Sequence, residues 1–262
     1  MKAAYPLYEY VQDTIDTAVG PVVYELGIPH QPAPDCALLL NVAMDRERTV
    51  RQHPYSIMAE CLQEQGHYTL SFDLPCHGAW ACGGGEGIVG IAAAVAAGGD
   101  PFADFIAVAR AILTRALSGR AAACRAVYAS GTSRGAYFAL RLAAVDARVT
   151  RIAAMAPVTD WRELREFAAI RERSDVAALA LCEYIPALLG KSVIMTIGYA
   201  DERVSTARCA QFYAELYERN RGLHDDAGRR EGRVVLLITE DEGHQLEEKR
   251  YRQGAAFLLK PF

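Results

Sequence analysis

No stretch of this chain approaches the roughly 18 consecutive apolar residues that a membrane span requires, so none is expected. An excess of positive charge is missing too. Lys and Arg number 28 against 32 Asp and Glu, and the net charge of −4 gives nucleic acid no electrostatic footing. The start, Met1-Lys2-Ala3-Ala4-Tyr5-Pro6, lacks the apolar segment and small-residue cleavage site of a secretory signal. A soluble, cytoplasmic protein is expected. There is no Cys-x-x-Cys pair: Cys36, Cys61, Cys76, Cys82, Cys124, Cys182 and Cys209 lie scattered through apolar segments, and the odd count favours a reducing compartment and inert core thiols. Cys76 and Cys82 stand apart because they share one loop. His77, Asp73 and Asp241 show neither i, i+4 helical spacing nor a Cys/His knuckle, so no metal is expected. No repeat or linker divides the 262 residues, which fit one large domain.

What is present is an alternation of strands and helices. Residues 1–20 carry apolar positions at loosely helical spacing, suiting a surface helix or an edge element. Strands are expected at Pro21–Pro29, Ala37–Val42, Tyr68–Asp73, Arg125–Ser130, Arg151–Ala156, Val193–Gly198 and Val234–Thr239. Between them, helices are expected near Pro54–Gln65, Pro101–Leu117, Thr206–Arg219 and Gln245–Leu259, with a helical insert over 162–189. Asp45–His53 reads as a polar segment, and after Leu74-Pro75-Cys76-His77-Gly78 a long Gly/Ala-rich connection continues to Asp100. The pattern specifies an α/β fold with a mainly parallel sheet and helices on both faces.

The most informative stretch is Gly131-Thr132-Ser133-Arg134-Gly135, placed between a strand and a run of helix formers. Gly-x-Ser-x-Gly in that context makes Ser133 the candidate nucleophile, held on a tight turn whose flanking glycines avoid backbone collision. A serine hydroxyl also needs a base and oxyanion donors. In open α/β sheets functional groups gather beyond the C-terminal strand ends, where Asp201 and His244 each directly follow a strand. The order Ser, Asp, His is that of the α/β-hydrolases. His244 would take the serine proton and Asp201 would orient the ring. Asp160, also at a strand end, is the main competitor for the acid, while His30, His53, His67 and His224 are read as structural.

From about Pro21 onward the chain resembles α/β-hydrolase serine hydrolases, particularly the catalytic domain of the prolyl oligopeptidase family and its dienelactone hydrolase-like relatives. The elbow carries the resemblance, together with Ala156-Pro157-Val158-Thr159-Asp160-Trp161, Gly198-Tyr199-Ala200-Asp201-Glu202-Arg203-Val204 and Asp241-Glu242-Gly243-His244. Asp73-Leu74-Pro75-Cys76-His77-Gly78 is similar to a loop of the wider fold, with Cys76 in place of glycine. The resemblance implies an acyl-enzyme on Ser133 and no cofactor. Two departures matter. A chain of 262 residues has no room for the family's β-propeller, so short esters are expected ahead of peptides. Asn41-Val42-Ala43-Met44 also stands where many members have His-Gly. The first oxyanion donor is expected to be the Arg134 N–H and the second that of Ala43 or Met44.

Gly85-Glu86-Gly87-Ile88-Val89-Gly90 matches a dinucleotide fingerprint, but Pro75–Gly84 separates it from the preceding strand. A mobile loop is expected there, and no nucleotide. His77, Trp161, Phe167 and Tyr184 are candidate pocket residues, though the three aromatics could equally pack the insert against the sheet. Glu202 and Arg203 read as a local charged pair. The expected partner is a small ester or acyl substrate, and a homo-oligomer is left open.

Overall fold

The computed structural model describes residues 8–224 and 232–260. Strands β1 (Tyr8–Thr17), β2 (Gly20–Pro29) and β3 (Ala37–Val42) are followed by helices α1 (Arg46–Arg51) and α2 (Ile57–Gln63) and strand β4 (Tyr68–Phe72). Helices α3 (Gly87–Ala96) and α4 (Pro101–Ser118) lead to β5 (Ala126–Thr132), α5 (Arg134–Val145) and β6 (Val149–Met155). The insert holds three 3₁₀ turns with α6 (Ser174–Ala177) and α7 (Ile185–Leu188), before β7 (Ser192–Gly198), α8 (Thr206–Asn220), β8 (Val234–Thr239) and α9 (Glu248–Leu259).

One eight-stranded sheet runs β1-β2-β4-β3-β5-β6-β7-β8. The strands from β4 to β8 across the sheet are parallel, while β1 and β2 form an antiparallel hairpin at one edge. This is the α/β-hydrolase arrangement that the motif order implies. Within β3, Leu38 and Leu40 face the larger core with α4 and α5, while Ala37 and Leu39 face a smaller one with α2 and α9. The period of two thus explains why β3 reads as an unbroken apolar run.

One local reading is settled, one is filled in and one changes. Residues 8–17 form a strand at the sheet edge, the edge element of the two alternatives, because pairing with β2 captures a polar and apolar alternation too weak to settle the matter by itself. The polar segment after β3 contains α1, capped by Asp45 accepting from the Arg48 N–H. The Gly/Ala-rich connection contains α3, whose Ile88, Ile91, Ala92 and Val95 follow the i, i+3, i+4, i+7 spacing and bury in the larger core. The expected loop at Gly85–Gly90 is therefore mostly the first turn of a helix. Among the described residues no single helix is long and apolar enough to cross a membrane.

The thiols also need correction. Cys76 and Cys82 form a disulfide closing a short loop, which removes the sequence argument for a reducing compartment. A compact loop of five intervening residues brings the two α-carbons to 4.7 Å without a Cys-x-x-Cys motif. Cys36 and Cys209 are buried, but Cys182 is exposed.

Trp161 and Phe167 lie fully buried in the larger core, with Trp161 packed on Phe102, Tyr137 and Phe167 at centroid distances of 5.0–5.1 Å. Tyr184 stacks under Arg141 and donates to the Ala178 carbonyl. These aromatics pin the insert to α4 and α5 and do not line the cavity beside Ser133. Trp161→Ala should accordingly lower the unfolding free energy by about 3–5 kcal/mol, measured by urea denaturation.

Candidate active site

At the end of β5 the chain reverses into α5 through Ser133, whose φ of 57° is uncommon for a residue with a side chain. A Cβ on Gly131 would collide with the Gly135 main chain, and one on Gly135 would collide with the Val42 carbonyl of β3. Glycine at both positions lets β3, β5 and α5 converge at backbone contact distance. The turn is held by hydrogen bonds from the Ser133 N–H to the Met155 carbonyl (2.7 Å) and from the Val158 N–H to the Ser133 carbonyl (3.2 Å).

The structure brings Ser133, Asp201 and His244 together. His244 Nε2 lies 2.8 Å from Ser133 Oγ, and Nδ1 lies 2.8 Å from Asp201 Oδ2. With an ionised carboxylate as acceptor, Nδ1 carries the ring proton and Nε2 is left to accept from the serine hydroxyl. Asp201 is itself fixed, since its Oδ1 accepts from the N–H groups of Arg203 (2.9 Å) and Val204 (3.2 Å) and its side chain is fully buried. The loop bearing His244 is anchored by buried Asp241, which accepts from the Thr239 hydroxyl, from Arg250 Nε at 3.0 Å and from the Glu247 N–H at 3.2 Å. Burial acts to raise the Asp241 pKa, but these hydrogen bonds outweigh it and hold the carboxyl below the usual range.

Asp160 has another partner. Arg162 grips it through Nε (2.9 Å) and Nη2 (2.6 Å), and the carboxylate caps the following 3₁₀ turn. Burial opposes this, yet the guanidinium keeps the acid ionised below its ordinary pKa. Arg203 does not pair with Glu202 as expected; both its Nη atoms reach Glu166 at 2.8 Å.

Two main-chain N–H groups next to Ser133 have no acceptor among the described residues, those of Arg134 and Ala43. Ala43 reaches the elbow because Val42 pairs with Gly131 across β3 and β5. The Met44 N–H instead has Thr49 Oγ1 at 3.5 Å, which leaves Ala43 the better placed of the two.

A cavity of about 310 Å³ opens over Ser133 and His244, bounded by Ala43, Arg134, the His53–Tyr55 turn, Leu246 and Tyr251. His77 lies behind this wall, with Nδ1–H donating to the Pro75 carbonyl (2.9 Å) and Nε2 accepting from Arg134 Nε (2.8 Å). Burial, then the charge of Arg134, pushes the His77 pKa down to about 4, so the ring is neutral at ordinary pH. Tyr55 and Tyr251 were not singled out by sequence pattern, and His53, read as structural, also borders the cavity. The turn does follow β3, but α1 intervenes, and the strand-end rule loses its reach across a helix. Asn41, the departure from His-Gly, links the elbow strand to this turn by accepting from Ser130 Oγ (2.8 Å) and donating to the Tyr55 carbonyl (2.9 Å).

The sequence model described as "Prolyl oligopeptidase family" matches residues 92–260. The chain belongs to the prolyl oligopeptidase family. That stretch of this family member contains Ser133, Asp201 and His244. No curated protein matches the chain. An esterase of Pyrococcus furiosus superposes with a TM-score of 0.64 at 19% identity, over 96% of this chain and 92% of that one. A cold-adapted esterase from an Arctic intertidal metagenomic library gives 0.67 at 16% identity, over 98% and 95%. An acylaminoacyl peptidase of Pyrococcus horikoshii gives 0.68 at 11% identity, over 97% of this chain but 41% of that one. At these identities the likeness establishes the shared α/β-hydrolase fold.

His53 bridges two walls of the cavity, with Nδ1 3.1 Å from Glu248 on α9 and Nε2 3.1 Å from Glu60 on α2. Hydrogen bonds to Glu248 and then Glu60 raise its pKa. A folded-state pKa above the unfolded value of about 6.5 contributes stability in full below that value and loses it as pH rises through the folded one. His53→Gln should therefore melt below the parent at about pH 5.5, by a small margin given the exposure of the pair, and the gap should close by about pH 9 in thermal scans.

Proposed function

We propose that the protein is a serine hydrolase that cleaves carboxylic esters through an acyl-enzyme on Ser133. The observation that carries this reading is the continuous path from Ser133 Oγ through His244 to Asp201, with both links at 2.8 Å. In the reaction, Ser133 Oγ attacks the ester carbonyl carbon while His244 Nε2 takes its proton and Asp201 stabilises the imidazolium. The carbonyl oxygen becomes an oxyanion that the N–H groups of Arg134 and Ala43, unpaired among the described residues, would stabilise as charge develops. Collapse expels the alcohol as His244 returns the proton, and water then repeats the sequence to release the acid.

Ester cleavage is preferred because solved structures that match this chain end to end bear the name esterase, whereas the acylaminoacyl peptidase is matched over less than half its length. The family name favours the second reading, a small peptidase or amidase. Ser133→Ala should reduce kcat for p-nitrophenyl butyrate by roughly 10⁴-fold or more with unchanged circular dichroism, and it should abolish labelling by a fluorophosphonate probe. Undiminished turnover by the pure variant would exclude Ser133 as nucleophile. Against a panel of aminoacyl and dipeptidyl amides, turnover matching that of short esters would replace the esterase reading with the peptidase one.

A further inference from the structure

The proposed chemistry gives the main chain of Arg134 a task but leaves its side chain unexplained. Arg134 lines the cavity with Ser133 and His244 and is partly buried. Its Nε donates to His77, and among the described residues the guanidinium makes no other hydrogen bond and no ion pair. The terminal Nη atoms have no acceptor, and neither is sealed inside the protein. His77 cannot balance the charge, because its Nδ1 proton goes to Pro75 and the ring is neutral. Carboxylates acting on Arg134 from a distance are committed elsewhere: Glu166 to both Nη atoms of Arg203, and Asp45 to the N-terminus of α1.

Other arginines nearby show the contrast. Arg162 is paired with Asp160, Arg203 with Glu166 and Arg208 with Glu163. A partly buried cation without a counter-anion is costly, and burial does lower the Arg134 pKa, although guanidinium stays charged in proteins. With Nε turned to His77, the edge left free is the Nη1/Nη2 fork, whose two parallel N–H bonds match a carboxylate. Tyr55, on the same cavity and close enough to act on Arg134, has a hydroxyl with no partner among the described residues and adds a neutral donor.

We propose that the Arg134 guanidinium is a binding site for a carboxylate on the substrate, so that the preferred substrates are esters bearing a free carboxylate a few atoms from the scissile carbonyl. This substrate class rests on the hydrolase reading above, but the anion site can be tested apart from it. On Ser133→Ala protein, calorimetric titration with monomethyl glutarate should give saturable binding that the further change Arg134→Met weakens roughly 10- to 100-fold, while dimethyl glutarate binds weakly to both. Arg134→Gln serves as a second variant should the first not fold.

On the active protein, kcat/KM for mono-4-nitrophenyl glutarate should exceed that for 4-nitrophenyl valerate by a similar factor, and Arg134→Met should bring the ratio close to one. Taking the ratio within each protein cancels any disturbance of the Arg134 main chain. Arg134→Lys, which keeps the charge and loses the fork, should retain part of the preference. Comparing acetoxyacetate with ethyl acetate moves the carboxylate to the leaving group, and whichever pair shows the larger ratio tells on which side of the ester the anion sits. Absence of glutarate binding, with equal turnover of charged and neutral esters in both pairs, would overturn the carboxylate site; continued fluorophosphonate labelling of Ser133 would then leave the hydrolase reading standing. Glutarate binding that depends on Arg134 in a protein that the probe fails to label would support the site and remove the hydrolase.

Discussion

The close approach of three main-chain segments, the end of β3, the end of β5 and the start of α5, is the constraint on which the rest of the site depends. A side chain at Gly131 or Gly135 would push them apart. Their convergence places Ser133 in its strained conformation with the N–H groups of Arg134 and Ala43 both free beside it. The strain is sustained by hydrogen bonds to Met155 and Val158, which tie the elbow to the neighbouring strand and to the segment beyond it.

Around that point the sheet acts as a frame. Parallel pairing from β5 to β8 aligns the ends of β7 and β8 through the Gly198 and Thr239 register, so that loops distant in sequence deliver Asp201 and His244 to one rim. Each side chain then has its own restraint. Backbone N–H groups of Arg203 and Val204 hold Asp201, and Asp241 with Arg250 holds the histidine loop. Asn41 ties the cavity wall at Tyr55 to β5, and neutral His77 fixes Arg134 by its Nε. Ordinary hydrogen bonds thus limit the motion of the groups on which acyl transfer would depend.

Much of this was legible in the sequence, for identifiable reasons. Continuous apolar runs marked β3 and β7, because strands buried on both faces tolerate little else, and a similar run marked β8 although that edge strand is only partly buried. Glycines with a steric duty marked the elbow, and the polar residues just past strand ends marked Asp201 and His244. Weak or interrupted signals hid the remainder. The half-exposed β1 owes its conformation to its partner strand, and α3 lay concealed in small residues whose periodicity was diluted by glycine and alanine. Trp161 and Phe167 follow β6 as pocket residues could, but an aromatic beside a strand end serves packing equally well, and here the insert needed a core. The contacts of Arg134 and His77 join residues from separate loops, and no local pattern encodes them.

A crystal structure of the protein treated with an alkyl fluorophosphonate would test the central claim most directly. The account predicts phosphorus bonded to Ser133 Oγ, with one phosphonyl oxygen about 2.7–3.1 Å from the main-chain nitrogens of both Arg134 and Ala43. Phosphorus on another side chain, or an adduct on Ser133 whose oxygens meet neither nitrogen, would contradict it.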